Sequence, residues 1–262
     1  MDVIIFGGQS NMQGQTEGLP IVNERVDGAL EYKFRTDEFV SLKHPVGENI
    51  GEWILQANGG GGSLVPAFCR AYVKETGREV IAVHAAKGNT TLAEWLQGTQ
   101  SYHTARKKIC AGLKKARENF YVERVYYVWL QGESDSIIAT TQEEYANRLI
   151  TYKNLLKKDV GIEKFGIIRV GYFTSLVTWL KDERSHERRA KCDEAIMRAQ
   201  EQAVESDGDF IMLTDKLASM SLDKRFINPF AEGHFNNVAM EIIGETAGRN
   251  LALFSKNKKF EA

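Results

Sequence analysis

Asp2-Val3-Ile4-Ile5-Phe6-Gly7-Gly8-Gln9-Ser10-Asn11-Met12-Gln13-Gly14 decides the fold. Val3–Phe6 is apolar at every position, then two glycines lead into a polar turn that carries a serine. Continuous rather than alternating apolarity suits a strand buried on both faces, as in a parallel sheet. Four more runs share this character: Val80–Ala85, Val125–Leu130, Phe165–Gly171 and Phe210–Leu213. Helical stripes separate them. Val65, Phe68, Tyr72 and Val73 make one, Ala105, Ile109, Leu113, Ala116 and Phe120 a second, and Tyr145, Leu149, Tyr152 and Leu156 a third. Cys192, Ile196, Ala199 and Ala203 form a fourth, and Val238, Ile242, Ala247 and Leu251 a fifth. Strands alternating with helices predict βαβ units: an α/β fold with a central parallel sheet of about five strands, covered on both faces.

Composition narrows the function. The chain has 262 residues, with 34 Lys+Arg against 35 Asp+Glu. That balance removes the electrostatic case for a nucleic-acid partner. No apolar run is long enough to span a membrane. The N-terminus shows no basic region or small-residue cleavage site, so no signal peptide is read. Cys69, Cys110 and Cys192 are scattered and odd in number, which fits free thiols in a cytoplasmic setting. No His/Cys/Asp/Glu cluster has metal-ligand spacing.

The stretch 15–62 breaks the rhythm. Leu30–Phe34 and Phe39–Leu42 can form a hairpin across Arg35–Glu38, and Asn58-Gly59-Gly60-Gly61-Gly62-Ser63 follows. Such a run reads either as a linker or as a loop bringing backbone close to a site. The short stretch before it favours the loop, entering a helix at Leu64–Pro66 with Pro in the first turn. Residues 1–262 are therefore read as one domain with an irregular insertion at about 15–62.

Ser10 follows the first strand, and ligands of open parallel sheets sit beyond the carboxyl ends of strands. Two other readings compete: a phosphate loop, which lacks the Gly-Lys-Ser/Thr ending, and a plain helix cap. A serine hydroxyl needs a base. Among five histidines, His84 ends a buried run and reads as core, while His103 and His186 lie in charged, solvated surroundings. His44 lies in the insertion, and His234 follows the last strand at the mouth of the last helix. His234 alone reads more readily as a cap or a surface group; paired with the Ser10 loop it becomes the candidate base. Gln131-Gly132-Glu133-Ser134-Asp135 ends the third strand run, and His84-Ala85-Ala86-Lys87-Gly88-Asn89-Thr90 the second. Gln131 can offer an amide N–H, Glu133 can accept one from a histidine, and the Gly88 backbone can face the same crevice. The Lys-rich face of the 105–120 helix reads as solvated.

Gly8-Gln9-Ser10-Asn11-Met12-x-Gly14, Gly88 with Trp95 seven residues on, Gln131-Gly132-Glu133-Ser134 and Gly233-His234-Phe235 together resemble one group. It is the sialate O-acetylesterase and acetyl-xylan esterase branch of the SGNH (GDSL-like) hydrolases, which includes carbohydrate esterase family six. The resemblance implies a flavodoxin-like three-layer sandwich and hydrolysis of acetyl esters, often on carbohydrates, without metal or cofactor. It implies Ser10 as nucleophile and His234 as base. It further implies an oxyanion hole of the Ser10 N–H, an N–H of the Gly88–Asn89 loop and the Gln131 side chain. Two departures stand out. Gly88-Asn89-Thr90 replaces the family's Gly-Gly-Thr/Ser, and Ala231 stands where the family has Asp three residues before the histidine. Glu133 resembles a family glutamate close to the catalytic histidine, able to hold its tautomer. The expected partner is a small acetylated molecule, a sugar above all. A general GDSL-type esterase on a non-sugar ester and a non-catalytic sugar-binding relative are the alternatives.

Overall fold

The computed structural model describes residues 1–20, 23–50, 61–180 and 182–257. Its elements run β1 (Asp2–Gly8), α1 (Ser10–Gln13), β2 (Ala29–Lys33), β3 (Glu38–Ser41), α2 (Val65–Thr76), β4 (Val80–Ala86) and α3 (Gln100–Asn119). They continue with β5 (Arg124–Leu130), α4 (Glu133–Ile137), α5 (Gln142–Asp159), β6 (Lys164–Ile168), α6 (Glu183–Ser206), β7 (Phe210–Thr214), α7 (Leu217–Met220) and α8 (Asn237–Asn257). The sheet order is β3-β2-β4-β1-β5-β6-β7, parallel throughout except for the β2–β3 pair. β1 lies between β4 and β5, so the chain leaves it to opposite sides and opens a crevice at its carboxyl end.

The sheet has seven strands rather than about five. The anticipated hairpin does form, pairing Leu30 with Ser41 and Lys33 with Glu38, and β2 then adds to β4 in parallel. The insertion is thus part of the sheet, and an ion pair also ties it to α3. Lys108 is buried and pairs with Glu48 at 2.9 Å, and Glu48 also accepts the N–H of Phe34 at 2.5 Å. The reading of the Lys-rich helix face as solvated fails at this residue, because the insertion supplies a carboxylate directly over it. The run Asn58–Gly60 lies outside the described residues.

Helices cover both faces. Phe6 of β1 meets Phe68 of α2 edge-on at 5.1 Å, and Tyr72 of α2 donates to Asp2 at 2.7 Å. On the other face Tyr127 and Trp129 of β5 pack on Tyr152 of α5, whose hydroxyl is 2.6 Å from that of Tyr127. α8 turns inward a stripe that shares Ala247 and Leu251 with the expected one but is displaced at its N-terminal end. Val238 is exposed, while Ala239, Met240, Ile243, Ala247 and Leu251 are buried. The reason is a close helix crossing. A Cβ on Gly244 would sit 2.4 Å from the Leu64 carbonyl oxygen, and one on Gly248 2.2 Å from that of Phe68. α6 starts well before its apolar stripe, because Asp182 caps it by accepting the Ser185 N–H at 2.8 Å. β6 ends at Ile168, short of Gly171, where its register with β7 shifts.

Gly248→Ala should therefore cost about 1–3 kcal/mol through overpacking of the α2–α8 crossing. Gly208→Ala, where an added Cβ meets nothing within 4 Å, should stay within about 0.5 kcal/mol of wild type. Urea unfolding midpoints of the two variants check the contrast.

Candidate active site

The turn after β1 is forced close to β5. Gly8 has φ +139°, and a Cβ there would lie 2.0 Å from the Leu130 carbonyl oxygen, so only glycine fits. Gln9 then donates its N–H to that same oxygen at 3.0 Å, and α1 begins at Ser10. Ser10 is half-buried at the mouth of the crevice, while Gln9, Asn11 and Gln13 around it are buried.

Asn11 joins segments that are far apart in sequence. Its Nδ2 donates to Glu133 Oε1 at 2.7 Å and to the Gly233 carbonyl at 3.3 Å, and its Oδ1 accepts the Phe235 N–H at 3.2 Å. Gly233 and Phe235 flank His234. The residue next to Ser10 is therefore bonded to both neighbours of His234, which brings the two ends of the chain to one rim of the sheet. The loop carrying His234 is itself closed by the Ile227–Phe235 bridge and by the Asn228 N–H on the His234 carbonyl at 2.9 Å.

The expected Glu133–His234 hydrogen bond is not made. Glu133 Oε1 is taken by Asn11, and both Glu133 Oε2 and His234 Nδ1 are buried without a hydrogen-bond partner among the described residues. Burial pushes the Glu133 carboxyl above its usual range. Burial also holds the His234 imidazole below its usual value; the carbonyls of Glu232 and Ala231 act in the opposite direction. Backbone thus occupies the neighbourhood where the resemblance expects an aspartate. The Glu232 carboxylate turns away to the Thr178 hydroxyl.

Gln131 is buried beneath the site. Its Nε2 faces three acceptors: Gln9 Oε1 at 3.2 Å, the Thr90 carbonyl at 2.9 Å and Asp135 Oδ2 at 2.7 Å. Two amide hydrogens are thereby committed, and none is left for an oxyanion. Gly88 lies against Ser10, yet its N–H is also committed, to Gln13 Oε1 at 3.0 Å. Among the described residues, the backbone N–H groups of Ser10, Asn11 and Asn89 have no partner. Asn89 has φ +56°, a region where glycine and asparagine are the least costly residues.

Sequence reading missed two of these roles. Asn11 was visible only as part of the Gln-Ser-Asn-Met motif. Asp135 accepts from Gln131 Nε2 and from the Leu92 N–H at 2.7 Å, tying the β4 and β5 loops together. Of the other histidines, His84 is buried with Nε2 3.1 Å from the Met12 carbonyl, and burial pushes it down to about 3. His103 and His186 are exposed. His44 is buried in the insertion, where its Nδ1 accepts the Ser63 N–H at 3.4 Å.

Residues 1–230 match the family described as carbohydrate esterase, sialic acid-specific acetylesterase. His234 lies just past the matched segment. No curated protein matches the sequence. Among solved structures, a protein of Arabidopsis thaliana is 16% identical with a TM-score of 0.68, covering 96% of this chain and 98% of that one. NanS is 14% identical with a TM-score of 0.61, covering 97% and 98%. A carbohydrate acetylesterase from Xanthomonas citri is 15% identical with a TM-score of 0.51, covering 96% of this chain and 56% of that one. At these identities the likeness speaks to the fold, an SGNH-type α/β sandwich.

Asn11→Ala removes the donor on Glu133 Oε1 and the acceptor for the Phe235 N–H. Stability should fall by about 1–3 kcal/mol, the cost of leaving buried polar groups unpaired. Chemical denaturation at neutral pH measures it, and an unchanged midpoint would show that the bridge contributes nothing.

Proposed function

Since the chain belongs to the carbohydrate esterase family of sialic acid-specific acetylesterases, and is thereby a carboxylic ester hydrolase for acetylated carbohydrate, we propose that it works through a Ser10–His234 pair. The observation that carries this reading is the Asn11 bridge, which bonds the residue after Ser10 to both neighbours of His234.

In this mechanism His234 Nε2 takes the proton of Ser10 Oγ as Oγ attacks the acetyl carbonyl. The Nδ1 side of the ring meets no carboxylate, and the backbone of Ala231 and Glu232 nearby favours a proton on the imidazole. The oxyanion is met by the N–H groups of Ser10 and Asn89, one unspent donor from each of the two loops. Each such donor is worth about 2.7–4 kcal/mol in the transition state. Gln131 and the Gly88 N–H are assigned to the framework instead. The C–O bond to the sugar breaks, His234 returns its proton to the leaving alkoxide, and water then repeats the sequence to release acetate. Glu133 acts through Asn11 as a positioning residue. Free thiols at Cys69, Cys110 and Cys192 suit a reducing, cytoplasmic location.

Ser10→Ala and His234→Ala should each lower hydrolysis of a short-chain aryl acetate by about a thousandfold or more, and the double variant should be no slower than either. Additive losses would mean the two groups do not share a step. A preference for acetyl over longer acyl chains separates an acetylesterase from a general esterase.

The pH profile tests the base separately. The active form is neutral imidazole, and burial lowers its pKa from 6.5. kcat/KM should stay level as pH falls through 6.5, declining only below it; an acid limb centred above 6.5 would contradict the assignment.

A further inference from the structure

Two exposed aromatic residues, Trp179 and Phe230, lie on segments that are bonded to each other next to His234. Phe230 is 82% exposed and Trp179 is 50% exposed, although both belong to segments tightly fixed by polar contacts. Phe230 lies on the closed loop between the Ile227–Phe235 bridge partners, four residues before His234. Trp179 lies between β6 and α6, on the connection that leaves the carboxyl end of β6. The two segments are joined twice. Gly233 donates its N–H to the Leu176 carbonyl at 2.8 Å, and the Thr178 hydroxyl bonds the Glu232 carboxylate. Each ring is thus within two residues of that Thr178–Glu232 clasp, and the clasp is two residues from His234. Neither ring touches another aromatic ring among the described residues.

An exposed large side chain alone is ordinary, but two exposed rings on segments clasped together two residues from His234 give the entrance to the site an apolar edge. Its chemistry is that of a stacking surface. A pyranose presents a face of C–H groups carrying slight positive charge, and an aromatic ring presents a negative face to it. No charged side chain is needed for such a contact. We infer that Trp179 and Phe230 form an aromatic platform that binds the sugar ring of the substrate and presents its O-acetyl group to Ser10. This inference rests on the carbohydrate-esterase reading above, and it adds which residues recognise the sugar. Neither residue belongs to the proposed chemistry, so their loss leaves the acyl-transfer step intact.

The test compares Trp179→Ala and Phe230→Ala with wild type on two substrates, an O-acetylated sialic acid and an aryl acetate. KM for the sugar ester should rise about tenfold in each variant, the value of a stacking contact. kcat for the sugar ester and kcat/KM for the aryl acetate should stay within about twofold. Trp179→Phe should restore KM, since it keeps a ring face. In the Ser10→Ala protein, the sugar ester should still bind and quench tryptophan fluorescence, and adding Trp179→Phe should remove the quench. An unchanged KM, or an equal loss on both substrates, overturns the platform. So does a dimer in gel filtration that Phe230→Ala dissolves with sugar binding intact, since the rings then serve self-association. The parent reading fails differently: a Ser10→Ala protein as active as wild type removes the serine, while the binding titration still reports the platform.

Discussion

A single carboxamide, that of Asn11, holds together three segments that are a hundred residues or more apart in sequence. Its two hydrogens go to the Glu133 carboxylate and the Gly233 carbonyl, and its oxygen takes the Phe235 N–H. Few side chains offer two donors and an acceptor in one plane. Aspartate would set a second carboxylate against Glu133, and leucine would orphan all three partners in a buried position. The closeness of the first turn and the last loop is therefore a hydrogen-bonding result as much as a topological one.

Beneath this bridge lies a second polar layer. Gln9 Oε1 accepts from Gln131 Nε2 at 3.2 Å and from the Ser134 N–H at 3.1 Å, so the β1 and β5 loops are locked to each other. Tyr145 and Gln200 both donate to the Gln131 carbonyl, each at 2.8 Å, which anchors the layer to α5 and α6. Buried networks of this kind rigidify a site when every member is satisfied. This one is nearly complete, and its completeness explains why so few donors remain for a ligand. Those that do remain are backbone N–H groups on the rim.

The two exceptions are informative. Glu133 Oε2 and His234 Nδ1 are buried without partners among the described residues. Ala231 supplies no carboxylate, and the nearby carbonyls of Glu232 and Ala231 are what favours a proton on the ring. A carbonyl can direct a tautomer but carries no full charge to stabilise an imidazolium. The same burial that strips the ring of partners keeps it neutral, which is the form a base requires.

The sequence by itself determined the α/β class, the strand runs and the segments that converge, because continuous apolar runs and helical stripes reflect burial directly. It also offered Ser10 and His234, among the serines and histidines, as the pair on which the proposed mechanism rests. The seven-stranded sheet was only half legible: the hairpin was visible, but its parallel addition to β4 and the Glu48–Lys108 pair that ties the insertion to α3 join segments no local pattern encodes. The inward stripe of α8 was legible at Ala247 and Leu251 but not at its N-terminal end, because Gly244 and Gly248, which set the crossing, carry no apolar signal. Which donors are free was decided by tertiary structure alone. Gln131, Gly88 and Asn89 look alike as potential donors in a sequence, and only their neighbours in space show which have already spent their hydrogens. A hydrogen bond depends on a partner's position, and that position is fixed by the whole fold rather than by the residues beside it.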